Sequence, residues 1–464
     1  MSRVVLARPA YSTVYGIYDK VPKDREVRVP LGLLYLASAL ENEGHEVKVI
    51  DGEPDLMPPT EIVKQVIEFE PDFVGISATT PEFHLAVEIV HWIKRLRPKI
   101  ITIMGGAHVS ALPQESAEDC PEIDYIVVAE GERSIVNIVN GQESNRIVTS
   151  PLVANLDDLL PPARHLIDYD KYRYAIPNKG LVRMDTVEAT RGCPYQCTYC
   201  YKMYKTVRFR NPIKVIDEIE ESHRQYNTQL FLFYDDTWSA RRDRAELMCD
   251  EIIRRGLDVK LYCFTRVDGL TKELIAKMRE AGFDKVTTGI ESGNQAILDV
   301  MNKRTNLCQY EQAYKWLNEA GIETRGSFMV GCPYETRETV RDSIEFAKKL
   351  PLFRIGVNIL TPYPGSPLYT NLMAKKDVGF RLLCKDWADY RRWGNSVVET
   401  DALTKSEIEE SQKRFLMEFN SSWKVVRYHL KQLLRLNLSY FYYRPILYAV
   451  KERLKYMFTG VFRK

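Results

Sequence analysis

Thr186-Val-Glu-Ala-Thr-Arg-Gly-Cys193-Pro-Tyr-Gln-Cys197-Thr-Tyr-Cys200 is the stretch on which the reading of this chain turns. A short strand pattern runs into a loop with three cysteines at C-x3-C-x2-C spacing. Thiolates are the standard ligands of iron–sulfur clusters, and a four-iron cluster normally takes four of them. Three on one loop leave one iron open to a small molecule, much as an open position makes a zinc site catalytic. A zinc knuckle would want a fourth Cys or His at suitable spacing, and none follows nearby. A redox pair at Cys197 and Cys200 would leave Cys193 unexplained. The remaining thiols Cys249, Cys263, Cys308, Cys332 and Cys384 are expected to be buried packing residues.

Downstream, the strand–helix rhythm continues. Thr186–Ala189, Leu230–Tyr234, Lys260–Phe264, Lys285–Gly289, Thr324–Met329 and Arg354–Leu360 read as strands, with helical patterns between most of them. Six such units predict a partial barrel, open where eight would close. Their carboxyl ends carry Tyr234–Trp238, Thr265–Asp268, Gly289–Gly293, Gly331–Glu335 and Thr361–Ser366. Polar and Gly/Pro-rich segments at those ends are what a barrel-mouth active site requires.

Upstream, Val4–Leu6, Val47–Ile50, Phe73–Ile76, Ile100–Met104 and Tyr125–Val128 read as strands. Leu31–Asn42, Thr60–Phe69, Phe83–Leu96 and Ser110–Asp119 read as helices. That alternation predicts a doubly wound parallel sheet, whose ligands bind beyond the carboxyl ends of the strands. Ser77–Pro81, Gly105–His108 and Glu130–Glu132 stand there. Gly105 and Gly106 would let backbone approach a bulky ligand tail, beside the hydroxyls of Ser77, Thr79 and Thr80. The expected organisation is an α/β chain: a Rossmann-like domain over 1–145, a linker over 146–182, a partial (β/α)6 barrel over 183–370, and a mainly helical region over 371–464. Pro151, Pro161, Pro162 and Pro177 favour an extended linker over a packed element, and residues 404–436 read as helix.

The cysteine loop, with the aromatic Tyr199 before its third cysteine, resembles the signature of the radical S-adenosylmethionine (SAM) superfamily. That resemblance implies a [4Fe-4S] cluster on Cys193, Cys197 and Cys200, whose open iron chelates SAM and cleaves it to a 5′-deoxyadenosyl radical. It also places the backbone at Tyr199 by the adenine, Glu291 and Ser292 on the ribose or carboxylate, and Arg266 against the carboxylate. For Arg266 a surface ion pair with Asp268 is the alternative. Pro30–Ala37, Gly105-Gly-Ala-His108 and Ala129-Glu-Gly-Glu132, set before such a barrel, resemble the cobalamin-binding radical SAM class over about residues 1–370. Ser77, Thr79, Gly105, Gly106, His108 and Glu130 are the cobalamin-side candidates that follow. Asp-x-His-x-x-Gly, with a histidine ligating cobalt from below, is absent, so cobalamin is expected to bind without a histidine ligand.

The class implies methylation of an unactivated carbon through the adenosyl radical and methylcobalamin, or else oxidative cyclisation or rearrangement without methyl transfer. A non-enzymatic cobalamin module is the alternative of another kind, and the intact cysteine triad argues against it. Methylthiotransferases would need a second cysteine-ligated cluster upstream, where only Cys120 stands. The implied partners are a small-molecule or lipid-like substrate and an electron donor such as flavodoxin or ferredoxin.

Bulk properties agree with an ordinary globular protein: 45% hydrophobic and 28% charged over 464 residues. The net charge of +2 gives no general reason to expect nucleic acid. No signal-peptide core and no long apolar span are read, so the expected location is cytoplasmic, with membrane association through the tail as the variant. Nine cysteines, three of them clustered, read as metal binding or catalysis rather than a disulfide framework.

Residues 423–464 hold ten Lys/Arg, one acid (Glu452) and ten aromatics. A helical cap, contact with anionic membrane and single-stranded nucleic acid binding all fit that composition. On the membrane reading, deleting residues 437–464 weakens binding to anionic liposomes, and binding of the full chain falls as salt rises. A cosedimentation assay checks both, and full-length protein that ignores liposomes at low salt removes this reading.

Overall fold

Val4, Val5, Leu6 and Ala7 are each 0% exposed, so the first strand is apolar on both faces, as a parallel strand covered on two sides must be. In a computed structural model, which describes residues 1–15, 27–176 and 180–428, it is the second strand of a six-stranded sheet. The strands are β1 (Arg3–Arg8), β2 (Glu46–Asp51), β3 (Phe73–Ser77), β4 (Ile101–Gly105), β5 (Tyr125–Val128) and β6 (Ile147–Thr149). They run parallel in the order β2-β1-β3-β4-β5-β6. Leu33, Ala37, Leu40, Ile135 and Ile138 cover one face. Ile62, Val66, Ala86, Ile89 and Ile93 cover the other. The sheet is therefore doubly wound, with its order reversing at β1.

Helices Leu31–Asn42 and Phe83–Leu96 have the bounds their periodicity predicts. The helix expected over Ser110–Asp119 is instead two pieces, Ala107–Ala111 and Pro113–Asp119. Pro113 explains the break, since proline lacks an amide hydrogen and suits the first helical turn.

The connector differs from expectation. Rather than an extended linker, it is packed. Its start supplies β6, three 3-10 turns follow, and β7 (Arg173–Ile176) runs antiparallel to β8 (Gly180–Val187). Tyr169 and Tyr172 are buried, and the Tyr172 hydroxyl donates to Asp51 Oδ2 at 2.7 Å. The Arg164 guanidinium lies 2.7 Å from Asp185 Oδ2 and 2.6 Å from Glu218 Oε1, all three side chains buried. Pro177 lies outside the described residues, and around Pro151, Pro161 and Pro162 the packing is decided by partners elsewhere in the chain.

The second sheet contains β8 and, after the short hairpin β9 (Thr190–Arg191) and β10 (Arg208–Phe209), strands β11 (Thr228–Phe233), β12 (Lys260–Thr265), β13 (Phe283–Glu291), β14 (Glu323–Val330) and β15 (Arg354–Ile359). Six parallel strands, β8 and β11 to β15, curl into a half-barrel, with β7 antiparallel at the edge. Alternate residues, among them Phe231, Phe233, Leu261, Cys263, Val286 and Phe328, form the core under the outer helices. Met184, Leu230, Leu232 and Tyr262 alternate onto the inner face. Side-chain caps at Asn211, Thr271, Asn306 and Thr336 start four of those helices.

Helix Lys405–Asn420 packs against β15 and β14, with Phe415 and Phe328 ring centroids 4.9 Å apart. The helix expected to reach residue 436 ends at Asn420, and a further turn begins at Trp423. The basic aromatic tail lies outside the described residues beyond Tyr428. Among the described residues no helix is long and apolar enough to cross a membrane. Cys249, Cys263 and Cys332 are buried as expected, but Cys308 is exposed and Cys384 half-buried. Cys308 sits in the first turn of a helix that packs through Tyr310, Ala313, Tyr314 and Leu317 instead.

Replacing Arg164 by Met leaves Asp185 and Glu218 buried without this cation. Removing one partner of a buried pair costs about 3–5 kcal/mol. Chemical denaturation is expected to show that loss as a lower midpoint at unchanged slope.

Candidate active site

The cysteine loop folds back on itself at Gly192. Its φ is +96°, and a Cβ there would lie 2.6 Å from Thr206 O, so only glycine fits. Cys197 is buried, Cys193 half-buried and Cys200 exposed. Cys193 Sγ stands 3.7 Å from Thr237 Oγ1, in the loop past β11. Arg266 Nη1, just past β12, stands 3.9 Å from Cys197 Sγ. Among the described residues no three His, Cys, Asp or Glu side chains converge as a single metal ion would need.

Glu291 closes β13 with a left-handed backbone, φ +68°. Its Oε1 accepts the Tyr199 hydroxyl at 3.0 Å and Lys303 Nζ at 2.8 Å. Tyr199 and Glu291 are thus brought together on the third cysteine's flank. Lys303, buried and 3.2 Å from the Tyr199 oxygen, has no signal in the sequence beyond a polar loop. Arg266 is not a surface group. It is buried, bidentate on Asp268 at 3.0 and 2.9 Å, and stacked 3.6 Å over Tyr195. Its fork is engaged within the protein rather than left free for a carboxylate. Ser292 is fully buried, with its hydroxyl 3.1 Å from that of Ser343 and accepting Asn294 N, so it offers a ligand no surface.

On the first sheet, Ser77 and Gly105 pair in register at the carboxyl ends of β3 and β4, both partly exposed. A Cβ at Gly105 would meet only Val127 O, at 4.0 Å, so its backbone is open to approach. Gly106 has φ +101°, and a Cβ there would lie 2.6 Å from Ala78 O. The Thr79 hydroxyl is engaged by Glu82 at 3.0 Å. His108 is 1% exposed, its ring 4.1 Å from Phe83 and 5.1 Å from Trp387 by centroid. Burial holds that imidazole at a pKa of about 4, so it is neutral and enclosed rather than presented at the edge. Glu130 is likewise drawn inward.

Glu130 joins the two sheets. Arg191, two residues before Cys193, lies 2.7 Å from Glu130, 2.8 Å from Glu132 and 2.8 Å from Glu188, all these side chains largely buried. Arg208 adds a second cation on Glu130 at 2.9 Å, and Val153 N donates to the same carboxylate at 2.7 Å. Burial pushes the Glu130 carboxyl up, but the hydrogen bonds from Arg208 and Arg191 together outweigh it and hold the group below its usual range. The edge of the first sheet is therefore fastened to the root of the cysteine loop.

Glu335, past β14, is 0% exposed. Its Oε2 accepts Gly331 N and Cys332 N, while Oε1 has no partner. Burial pushes this carboxyl up to about 8. The native state then holds a proton that the unfolded chain releases at about 4.3, so this group's contribution to stability falls as pH rises between those values and is flat above. Glu335→Gln is expected to remove that fall, read as the difference between wild-type and variant unfolding free energies across pH 4–9.

The profile of the B12-binding domain matches residues 26–139, and that of the radical SAM superfamily matches residues 187–347. The chain is 31% identical over 418 residues to an uncharacterized methyltransferase of Pyrococcus horikoshii, covering 86% of this chain and 89% of the relative. It is 28% identical over 420 residues to the anaerobic magnesium-protoporphyrin IX monomethyl ester cyclase of Rubrivivax gelatinosus, covering 84% and 74%. In fold it is similar to the radical SAM methyltransferase TsrM of Kitasatospora setae, solved with cobalamin and a [4Fe-4S] cluster, at TM-score 0.68 and 18% identity, covering 90% and 88%. A doubly wound sheet clamped to a half-barrel whose mouth carries three cysteines, with both profiles matched in that order, settles the family: the chain belongs to the cobalamin-binding radical SAM enzymes.

Proposed function

We propose that the protein methylates an unactivated carbon of an organic substrate. The observation that carries this reading is the 31% identity to a chain named as a methyltransferase, over 89% of that relative's length. Oxidative cyclisation or rearrangement without methyl transfer is the second reading, favoured by the 28% identity to the cyclase.

The donor set suits the family's cofactors. Cys193, Cys197 and Cys200 would hold the [4Fe-4S] cluster, with Tyr199, Glu291 and Lys303 beside the SAM bound to it. The open edge at Ser77, Gly105 and Gly106 would seat cobalamin, and the enclosure of His108 supports a seat without that histidine as ligand. When bound, SAM at the cluster supplies a carbon radical that removes a substrate hydrogen, and cobalamin supplies the methyl group. The chain's own residues do the positioning. Arg191 holds the sheet edge against the cysteine loop, Gly192 turns that loop, and Lys303 keeps Glu291 and Tyr199 in one arrangement. An external one-electron donor such as flavodoxin or ferredoxin and a membrane contact through the tail complete the proposal.

Methyl transfer consumes SAM in two ways, leaving S-adenosylhomocysteine from one molecule and 5′-deoxyadenosine from another. The two by-products are expected in about equal amounts in an anaerobic assay with cell extract as substrate source, and label from methyl-labelled SAM is expected in the product. Cys197→Ala is expected to lose the iron and the 5′-deoxyadenosine together. Turnover that accumulates 5′-deoxyadenosine while the product gains no label decides for the second reading.

A further inference from the structure

Two cations on the inner face of the half-barrel have no carboxylate partner among the described residues. Tyr262 and Phe264 on β12, Lys285 and Thr287 on β13, and Arg325 and Ser327 on β14 alternate onto that face. Tyr262 pairs in register with Lys285, and Thr287 with Arg325. Lys285 is 6% exposed. Its Nζ lies 3.3 Å from the Tyr174 hydroxyl and stands over the rings of Tyr262 and Tyr174, 5.1 and 5.5 Å from their centroids. No carboxylate among the described residues pairs with it. Arg325, half-buried, has neither a hydrogen bond nor an ion pair among the described residues. Its guanidinium occupies the space that a side chain at Gly356 would need, with Nη2 3.3 Å from the position of a Cβ there. The acid in register with Lys285, Glu323, is directed at Arg354 instead, 3.2 Å away.

Charge withdrawn from water is costly unless it is paired. Other buried cations in and against this barrel are paired: Arg164, Arg191, Arg266 and Lys303 each have a carboxylate within 3.0 Å. We infer that Lys285 and Arg325 form the anion-binding end of the substrate site, and that the substrate is an organic anion, a carboxylate or phosphate ester, with an apolar body. The guanidinium fork suits either oxyanion, Lys285 adds a point charge, and Tyr262 and Phe264 supply an apolar wall. From Thr287, Arg325's neighbour, to Glu291 at the mouth is four residues, about 13 Å of strand. The anion and the reacting carbon therefore lie on the order of 10 Å apart. The inference rests on the proposed function only in taking the barrel interior as the substrate's place.

Equilibrium binding to the anaerobically reconstituted holoenzyme tests it, with 2-naphthoate, 2-naphthyl phosphate and neutral 2-naphthol as probes followed by calorimetry at low salt. At least one anion is expected to bind tenfold or more tightly than 2-naphthol, and the stronger of the two identifies the headgroup. Arg325→Gln is expected to erase the preference, Lys285→Met to reduce it, and Arg325→Lys to restore part of it. Iron and cobalamin contents report whether each variant has folded. Equal affinity of anions and 2-naphthol in the wild type, no anion binding at millimolar concentration, or a preference that survives in folded Arg325→Gln overturns the inference. Binding needs no turnover, so this outcome is separate from the by-product ratio that judges methyl transfer.

Discussion

Arg191 is the residue on which the relation of the two sheets depends. Its guanidinium is enclosed by Glu130 and Glu132 from the first sheet and by Glu188 from the barrel. Such an arrangement tolerates no partial version, because removing one member leaves the others buried and uncompensated. Arg191 is also the last residue before the Gly192 turn into the cysteine loop. The same side chain therefore sets the seat of the first domain and the root of the loop. Chemistry that needs two cofactors brought to one substrate requires a fixed distance between their seats, and here a buried ion cluster provides the fixing.

Charge is distributed unevenly between the mouth and the wall. At the mouth Arg266 and Lys303 sit near the thiols, yet each is tied to a carboxylate, Asp268 and Glu291. Their positions are therefore held by the protein whether or not a ligand is present. Such outer groups orient metal ligands and tune the centre they surround. On the inner wall neither Lys285 nor Arg325 has a carboxylate partner among the described residues.

The fold was legible in the sequence where patterns are local. The apolar runs of β1 and β3, the bounds of Leu31–Asn42 and Phe83–Leu96, and the cysteine loop after a strand can all be read from neighbours. The connector could not be read, because its burial depends on Asp51 and Glu218, far away in the chain, and on Asp185 in the strand that follows it. The break at Pro113 was visible as a proline but was outweighed by the surrounding helical pattern. For the site, a polar residue at a strand end looks the same whether it faces a ligand or the protein. Ser292, His108 and Glu130 are buried and engaged internally, whereas Ser77 and Gly105 are partly open and Thr79 is exposed with its hydroxyl turned to Glu82. Lys303 and Arg325 have no motif, and their character appears only when the partners around them are counted in space.

The packed connector has a consequence for how this chain can be divided. Asp185, in the first barrel strand, is fully buried and is satisfied by Arg164, Tyr169 and Ser222. Two of those three come from the connector. A barrel recombined into another protein without residues 164–169 would inherit a sealed carboxylate and no counterion for it. A crossover that keeps Asp185 satisfied in this chain must therefore fall upstream of Arg164, so that the connector travels with the barrel as one unit.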